Sequence, residues 1–130
     1  HHGLAAPEKE AGAADAKLAE PVEAAVGTPG VAHLAAAHLR AQGHEVFNPV
    51  ENDVARFGEE VLSSPTGNPE EVRHTGLTAR KVMEDDCTWI CRHAEAIALL
   101  PGWEKSGGVR VELALAEYLG LEIIHLVRPA

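Results

Sequence analysis

From residue 77 onward the apolar positions change period three times, and each change marks an element. Over Leu77 to His93 the residues Val82, Cys87, Ile90 and Cys91 fall at helical spacing and predict a helix. Ala94 to Leu100 is apolar almost throughout, as expected for a strand buried on both faces. Val109 to Leu119 returns to a helical pattern that Gly120 ends, and Leu121 to Val127 predicts a last strand. Upstream, Val31, Leu34, Ala35, His38 and Leu39 recur at helical spacing up to a stop at Gly43. His44 to Phe47 then predicts a short strand closed by Asn48-Pro49. The order helix, strand, helix, strand, helix, strand indicates an α/β protein with a parallel sheet.

Two stretches resist this reading. Residues 50–76 are polar. Val54 to Leu62 has some helical character, but Ser63 to Gly76 is broken by Pro65, Gly67 and Pro69 and predicts a long mobile loop. At the other end, His1-His2-Gly3 reads as a tag remnant, and residues 4–26 form an Ala- and Glu-rich segment suited to a helix or a loose tail. Val22 to Val26 is its one candidate strand, and a poor one. Gly27-Thr28-Pro29-Gly30 predicts a turn, so the folded domain is expected over residues 27–130.

The chain has 130 residues, enough for one domain with its own core. Aromatic residues make up 4% against 45% hydrophobic, so that core must be built from Ala, Val, Leu and Ile. A net charge of −9 argues against a nucleic-acid polymer or an anionic membrane as partner. It leaves room for a small anion held by a local field. No apolar run approaches the ~20 residues of a membrane span, and no secretory signal is visible. Cys87 and Cys91 lie four apart, which suits reduced thiols in the cytoplasm. His33, His38 and His44 lack ligand spacing. Cys87, Cys91 and His93 would offer a metal only three ligands on one helix, so no metal is expected.

The run from Ala96 to Ala116 carries the candidate chemistry. It reads as a buried strand, a polar glycine loop, and a helix with one carboxylate, Glu112, in its first turns. Strand-to-helix junctions at the carboxyl edge of a parallel sheet are where open α/β folds bind ligands. Backbone N–H groups of Ser106, Gly107 and Gly108 at a helix N-terminus suit an anion such as phosphate, and Arg110 could add a charged contact. Each residue also has a plainer role. Glu112 could stabilise a helix start, the glycines could form a simple turn, and Arg110 could face solvent. Trp103 could stack on a base or pack the loop onto the sheet. Asn48 could reach a ligand or form a turn with Pro49. Asp86 stands in an acidic run, Glu84-Asp85-Asp86, that could be one solvated helix face.

Leu99-Leu100-Pro101-Gly102-Trp103-Glu104-Lys105-Ser106-Gly107-Gly108 resembles a small family, common in bacteriophage genomes, related to the nucleoside 2-deoxyribosyltransferases. The segment from Leu39 to Pro49 looks like that family's first helix, second strand and Asn-Pro turn. Asp86 and Glu112 fall on its aspartate and glutamate. The resemblance spans roughly residues 27 to 127 and departs at two places. The family's opening strand and Gly-Pro-Met-Thr-Gly-like loop are represented only by Val26-Gly27-Thr28-Pro29-Gly30, and Glu95 stands where an aspartate is common.

The resemblance implies a Rossmann-like (flavodoxin-like) open parallel sheet flanked by helices, here with a degenerate or missing first strand. It also implies cleavage or exchange at the N-glycosidic bond of a deoxynucleoside or its monophosphate, without a cofactor. Glu112 would be the nucleophile and Asp86 its helper. Asn48, Gly102, Trp103, Ser106, Gly107, Gly108 and Arg110 would line the substrate site. Relatives often complete the site across subunits, so a homo-oligomer is expected. Two rival readings stay open: a cytokinin-type nucleotide phosphoribohydrolase, which shares a Pro-Gly loop and a helix glutamate, and a nucleotide-binding or partner-binding module without turnover.

Overall fold

The computed structural model describes residues 22–25 and 29–126. The tag remnant, residues 4–21, the turn residues Val26, Gly27 and Thr28, and Val127 lie outside them. Four parallel strands form one sheet: β1 (Val22–Ala25), β2 (Val46–Phe47), β3 (Ala96–Leu99) and β4 (Glu122–His125). Their order is β2-β1-β3-β4, and the fold is α/β. Val22 pairs with Val46 on one side and Ala96 on the other, and Leu99 pairs with both Ala25 and His125.

The first strand is therefore present and central, and the sheet begins at Val22 rather than after residue 27. Val-Glu-Ala-Ala has one β-branched residue and no alternation, so its local preference for a strand is weak. Backbone ladders on both sides hold it in place, and those partners come from chain 20 and 70 or more residues away. A local pattern cannot reveal that context.

The strands feed helices that cover both faces. Along β3, Ala96, Ala98 and Leu100 face one way, joining Ala35, Ala36 and Leu39 of helix α1 (Pro29–Ala41) in one core cluster. Ile97 and Leu99 face the other way, onto Val109 and Ala116 of helix α4 (Gly107–Leu119). This is the alternation a doubly covered strand requires. The small side chains of α1 let it lie close to the sheet, and among the described residues the hydrophobic core is built from Ala, Val, Leu and Ile. Helix α1 starts at Pro29, inside the expected turn, because proline suits the first helical position. Helices α2 (Pro49–Phe57) and α3 (Ala79–Arg92) complete the α4 side. At the sheet's β2 edge, Arg40 donates to the Val46 carbonyl (2.9 Å) and forks onto Glu51, tying α1, β2 and α2 together.

The segment expected to be a mobile loop is instead packed. Two 3₁₀ helices, Glu59–Ser63 and Pro69–Thr75, lie over α2 and α3. Val61, Val72 and Leu77 form their own buried cluster against Val54, Phe57 and Val82. Polar anchors reinforce it: Glu71 accepts from the Thr66 hydroxyl (2.9 Å) and amide (3.1 Å), and Glu70 accepts from the Ala79 amide that opens α3 (2.9 Å). The prolines and glycines signalled turns, but three isolated apolar residues were enough to dock them. Val72→Ala is therefore expected to destabilise the protein by about 1–3 kcal/mol in urea unfolding. A loss below about 0.5 kcal/mol would restore the mobile-loop reading.

Candidate active site

Three helices on the α4 side each carry a carboxylic acid where their apolar face requires a hydrophobe. In α2 the inward positions run Val50, Asp53, Val54, Phe57; in α3, Met83, Asp86, Cys87, Ile90; in α4, Val109, Glu112, Leu113, Ala116. Each set follows the i, i+3, i+4, i+7 spacing of a buried stripe. Asp86 and Glu112 are 1% and 2% exposed. Their helices pack side by side, and Glu112 lies close enough to act on Asp86 by charge and hydrogen bonding.

Burial of this kind decides protonation. An isolated ionised carboxylate in an apolar interior is prohibitively costly, so the group keeps its proton or finds a counter-charge. Burial, reinforced by the negative charge and hydrogen bond of Glu112, pushes Asp86 up to about 10. Asp86 thus holds a proton at neutral pH. Asp53 is also pushed up, to about 7, by burial and by Asp85, with Arg56 partly opposing. Asp85, by contrast, turns to the rim of the cluster. It accepts from Asn52 Nδ2 (2.9 Å) and pairs with Arg56, fastening α2 to α3. Of the acidic run, Glu84 is exposed, Asp85 is bridged and Asp86 is buried, so the one solvated face does not form. The Cys87 thiol is raised by its own burial and then by the Glu112 charge.

The loop that precedes α4 is built for its own geometry first. Gly102 adopts φ 90°, a left-handed conformation that suits glycine, and opens a single 3₁₀ turn, Trp103–Lys105. Ser106 caps α4, its Oγ accepting from the Val109 amide (3.2 Å). Gly108 is closed in from α3: a Cβ there would lie 3.1 Å from Met83 Cε. Met83 is one turn before Asp86 and Gly108 one turn before Glu112, so the two helices approach closely one turn from the acids.

The expected site residues separate into groups. Asp86 and Glu112 meet. Ser106, Gly107 and Gly108 form the start of the helix that carries Glu112. Asn48 is 3% exposed and spends its Oδ1 on capping α2, accepting from the Val50 amide (2.9 Å). Arg110 is exposed. Gly102 and Trp103 line an open groove of about 270 Å³ with Leu99, Glu104, His125 and Leu126, at the carboxyl ends of β3 and β4. Neither acid lines that groove. Trp103 also packs against the Ile97–Leu99 cluster and lies 6.4 Å from the His125 ring, so packing is an established part of its role. Trp89 stacks on Phe47 at 5.0 Å. Sequence reasoning overlooked Asp53 and Met83; a charged residue on the apolar stripe of α2 was the available signal for the first.

Among the described residues no group of three or more His, Cys, Asp or Glu is arranged to hold a metal, and no helix is long and apolar enough to cross a membrane. Cys87 and Cys91 are free.

A family model described as a domain of unknown function (DUF4406) matches residues 18–125, and the chain belongs to that family. The match includes β1, in keeping with a sheet that begins at Val22. No curated protein and no solved structure matches the chain.

The acids make stability depend on pH with a definite sign. Unfolded aspartates titrate near 3.9. Asp53 and Asp86 bind protons more tightly when folded, so their contribution is full below about pH 4 and is lost as pH rises through about 7 and about 10. Asp53→Asn is expected to stabilise the protein at pH 8 by about 1–2 kcal/mol, a discounted value because the group is partly solvated. Near pH 3 it should change little. Equal gains at both pH values in urea unfolding would refute the linkage.

Proposed function

We propose that this protein cleaves or exchanges the base of a deoxynucleoside or deoxynucleoside monophosphate through a carboxylate nucleophile. The observation that carries the proposal is the Asp86–Glu112 pair: two buried carboxyl groups on neighbouring packed helices, with Asp86 pushed up to about 10 by burial and by Glu112. Pairs of acids driven apart in pKa are how a site obtains a nucleophile and a proton donor at one pH. The strand order agrees with the first four strands of the flavodoxin-like arrangement, which supports the Rossmann-like reading. In that arrangement ligands enter where the strand order reverses, here between β1 and β3, and α4 begins just beyond the end of β3. The free cysteines fit a reducing cytoplasm.

In this mechanism Glu112 attacks C1′ of the sugar as the C1′–N bond breaks, and the Asp86 proton passes to the departing base nitrogen. Water, or a second base, then displaces the glutamyl ester at C1′ and returns a proton to Asp86. The cycle needs no cofactor; Glu112 remains the nucleophile and Asp86 switches from acid to base between the two steps, as the acid/base residue of retaining glycosidases does. The N-terminus of α4, with Ser106, Gly107 and Gly108, would hold the phosphate or the 5′ end of the sugar, with Arg110 and Asn48 at its margin. Gly102 and Trp103 would shape the loop beside it. Substrate reaches Glu112 by moving Met83 off Gly108, a contact through a flexible thioether end.

The sealed state of both acids favours a second reading, a nucleotide-binding module without turnover. The two readings part in one assay. Incubation with deoxynucleoside and ribonucleoside monophosphates and free nucleosides, followed by chromatography for free base, is expected to show release from a deoxy substrate. Glu112→Gln should lower that release on the order of 10³-fold or more, and Asp86→Asn by about 10²–10⁴-fold. Release confined to ribonucleotides would assign the phosphoribohydrolase alternative. A ligand that raises Tm but returns intact would assign the binding module.

A further inference from the structure

Helix α4 is apolar on the side turned away from the sheet as well as on the side packed against it. Val111 is 52% exposed and Tyr118 is 88% exposed, with exposed Ala114 between them. These residues fall at i, i+3 and i+7, one stripe along the outer surface. Elsewhere the pattern is different: α3 turns Arg80, Lys81, Glu84 and Arg92 to solvent. An apolar stripe on the outer surface of a helix that already buries its inner face calls for a covering partner. We propose that the outer face of α4 is the interface with a second copy of this chain, packed antiparallel about a two-fold axis.

Charge complementarity identifies the occupant. Arg110 and Glu117 lie seven residues apart on one flank of the stripe, both exposed, and neither makes an ion pair within the described residues. A two-fold axis between antiparallel helices brings the same flank of each helix together with its direction reversed. Arg110 of one copy then faces Glu117 of the other, twice, across the same interface. Such self-complementarity is what an isologous contact requires. It also answers a difficulty, since two chains of net charge −9 repel each other unless opposite charges are brought into register. Ala114, at the middle of the stripe, lets the two helices approach closely, while Val111 and Tyr118 fill the space on either side.

Sedimentation equilibrium of the full chain over a range of concentrations is expected to show a dimer. Tyr118→Glu and Val111→Asp should each raise the dimer dissociation constant at least tenfold, with far-ultraviolet circular dichroism and Tm checking the fold. Tyr118→Ser serves in place of either variant that unfolds. The decisive comparison uses charge. Arg110→Glu alone and Glu117→Arg alone should each weaken the dimer, and the double exchange should restore it. In a Cys91→Ser background, Ala114→Cys should give a disulfide-linked dimer under mild oxidation, because that position lies near the axis. A chain that stays monomeric at every concentration overturns the proposal and leaves the face to another occupant, such as residues 4–21 or a different protein. A dimer indifferent to these substitutions overturns it as well. Neither result depends on whether Glu112 is catalytic.

Discussion

A carboxylic acid on the apolar face of a helix is tolerated only if its charge is removed or answered, and this chain repeats that problem on three consecutive helices. Asp53, Asp86 and Glu112 each occupy a position that packing alone would give to leucine or valine. The nearest guanidinium, on Arg56, is already committed to Asp85. Protonation answers the charge of Asp86, which burial and the neighbouring Glu112 push up to about 10. Such an arrangement lowers stability at neutral pH relative to an apolar core of the same shape. Natural sequences break their own packing rules chiefly where function demands it. The same features that make the cluster costly, a retained proton and a desolvated carboxylate, are those a glycosyl-transfer site uses.

The sheet supplies the frame that makes the meeting possible. Because β1 is central and its neighbours lie on opposite sides, the chain must cross from β2 over β1 to reach β3. That crossing carries α2, the two 3₁₀ helices and α3, and it delivers Asp53 and Asp86 to the flank of α4. The packed cluster of Val61, Val72 and Leu77 stiffens the long connection, so α2 and α3 meet at a fixed spacing rather than through a free loop. The bridge from Arg56 and Asn52 to Asp85 acts at the same junction. It draws one acid of the run outward while its neighbour points inward.

Legibility in the sequence followed the range of the forces involved. Helices α1, α3 and α4 and strands β3 and β4 were readable because their apolar spacing repeats over a dozen residues or forms an unbroken run. The strand ends shifted by at most two residues, as terminal pairing varies more than periodicity. β1 was read poorly because its four residues carry no pattern of their own and depend on partners distant in sequence. Residues 63–76 were read as mobile because turn residues are visible locally, whereas the docking of Val72 against Leu77 and Phe57 is not. At the site, Glu112 was found through its place on the helix after the glycine loop, and Asp86 through motif resemblance. Helical periodicity would have found them independently, and Asp53 as well, since each interrupts an otherwise apolar stripe.

Helix α4 joins these threads. Glu112 faces inward to Asp86, and the residue before it, Val111, faces outward on the apolar stripe. Whatever covers Val111, Ala114 and Tyr118 therefore also clamps the turn that aims Glu112. The helix start is held by the Ser106 cap and by the close approach of Met83 to Gly108, and its end by the left-handed Gly120, whose amide bonds back to Glu117. A carboxylate whose geometry is fixed from both faces and both ends of its helix loses little freedom when it reacts, and preorganisation of this kind is where enzymes obtain much of their electrostatic advantage. An isolated subunit would leave one of those four constraints unmet. The outer apolar stripe and the buried acid thus share one thirteen-residue helix, and the proposed contact between copies would act on both.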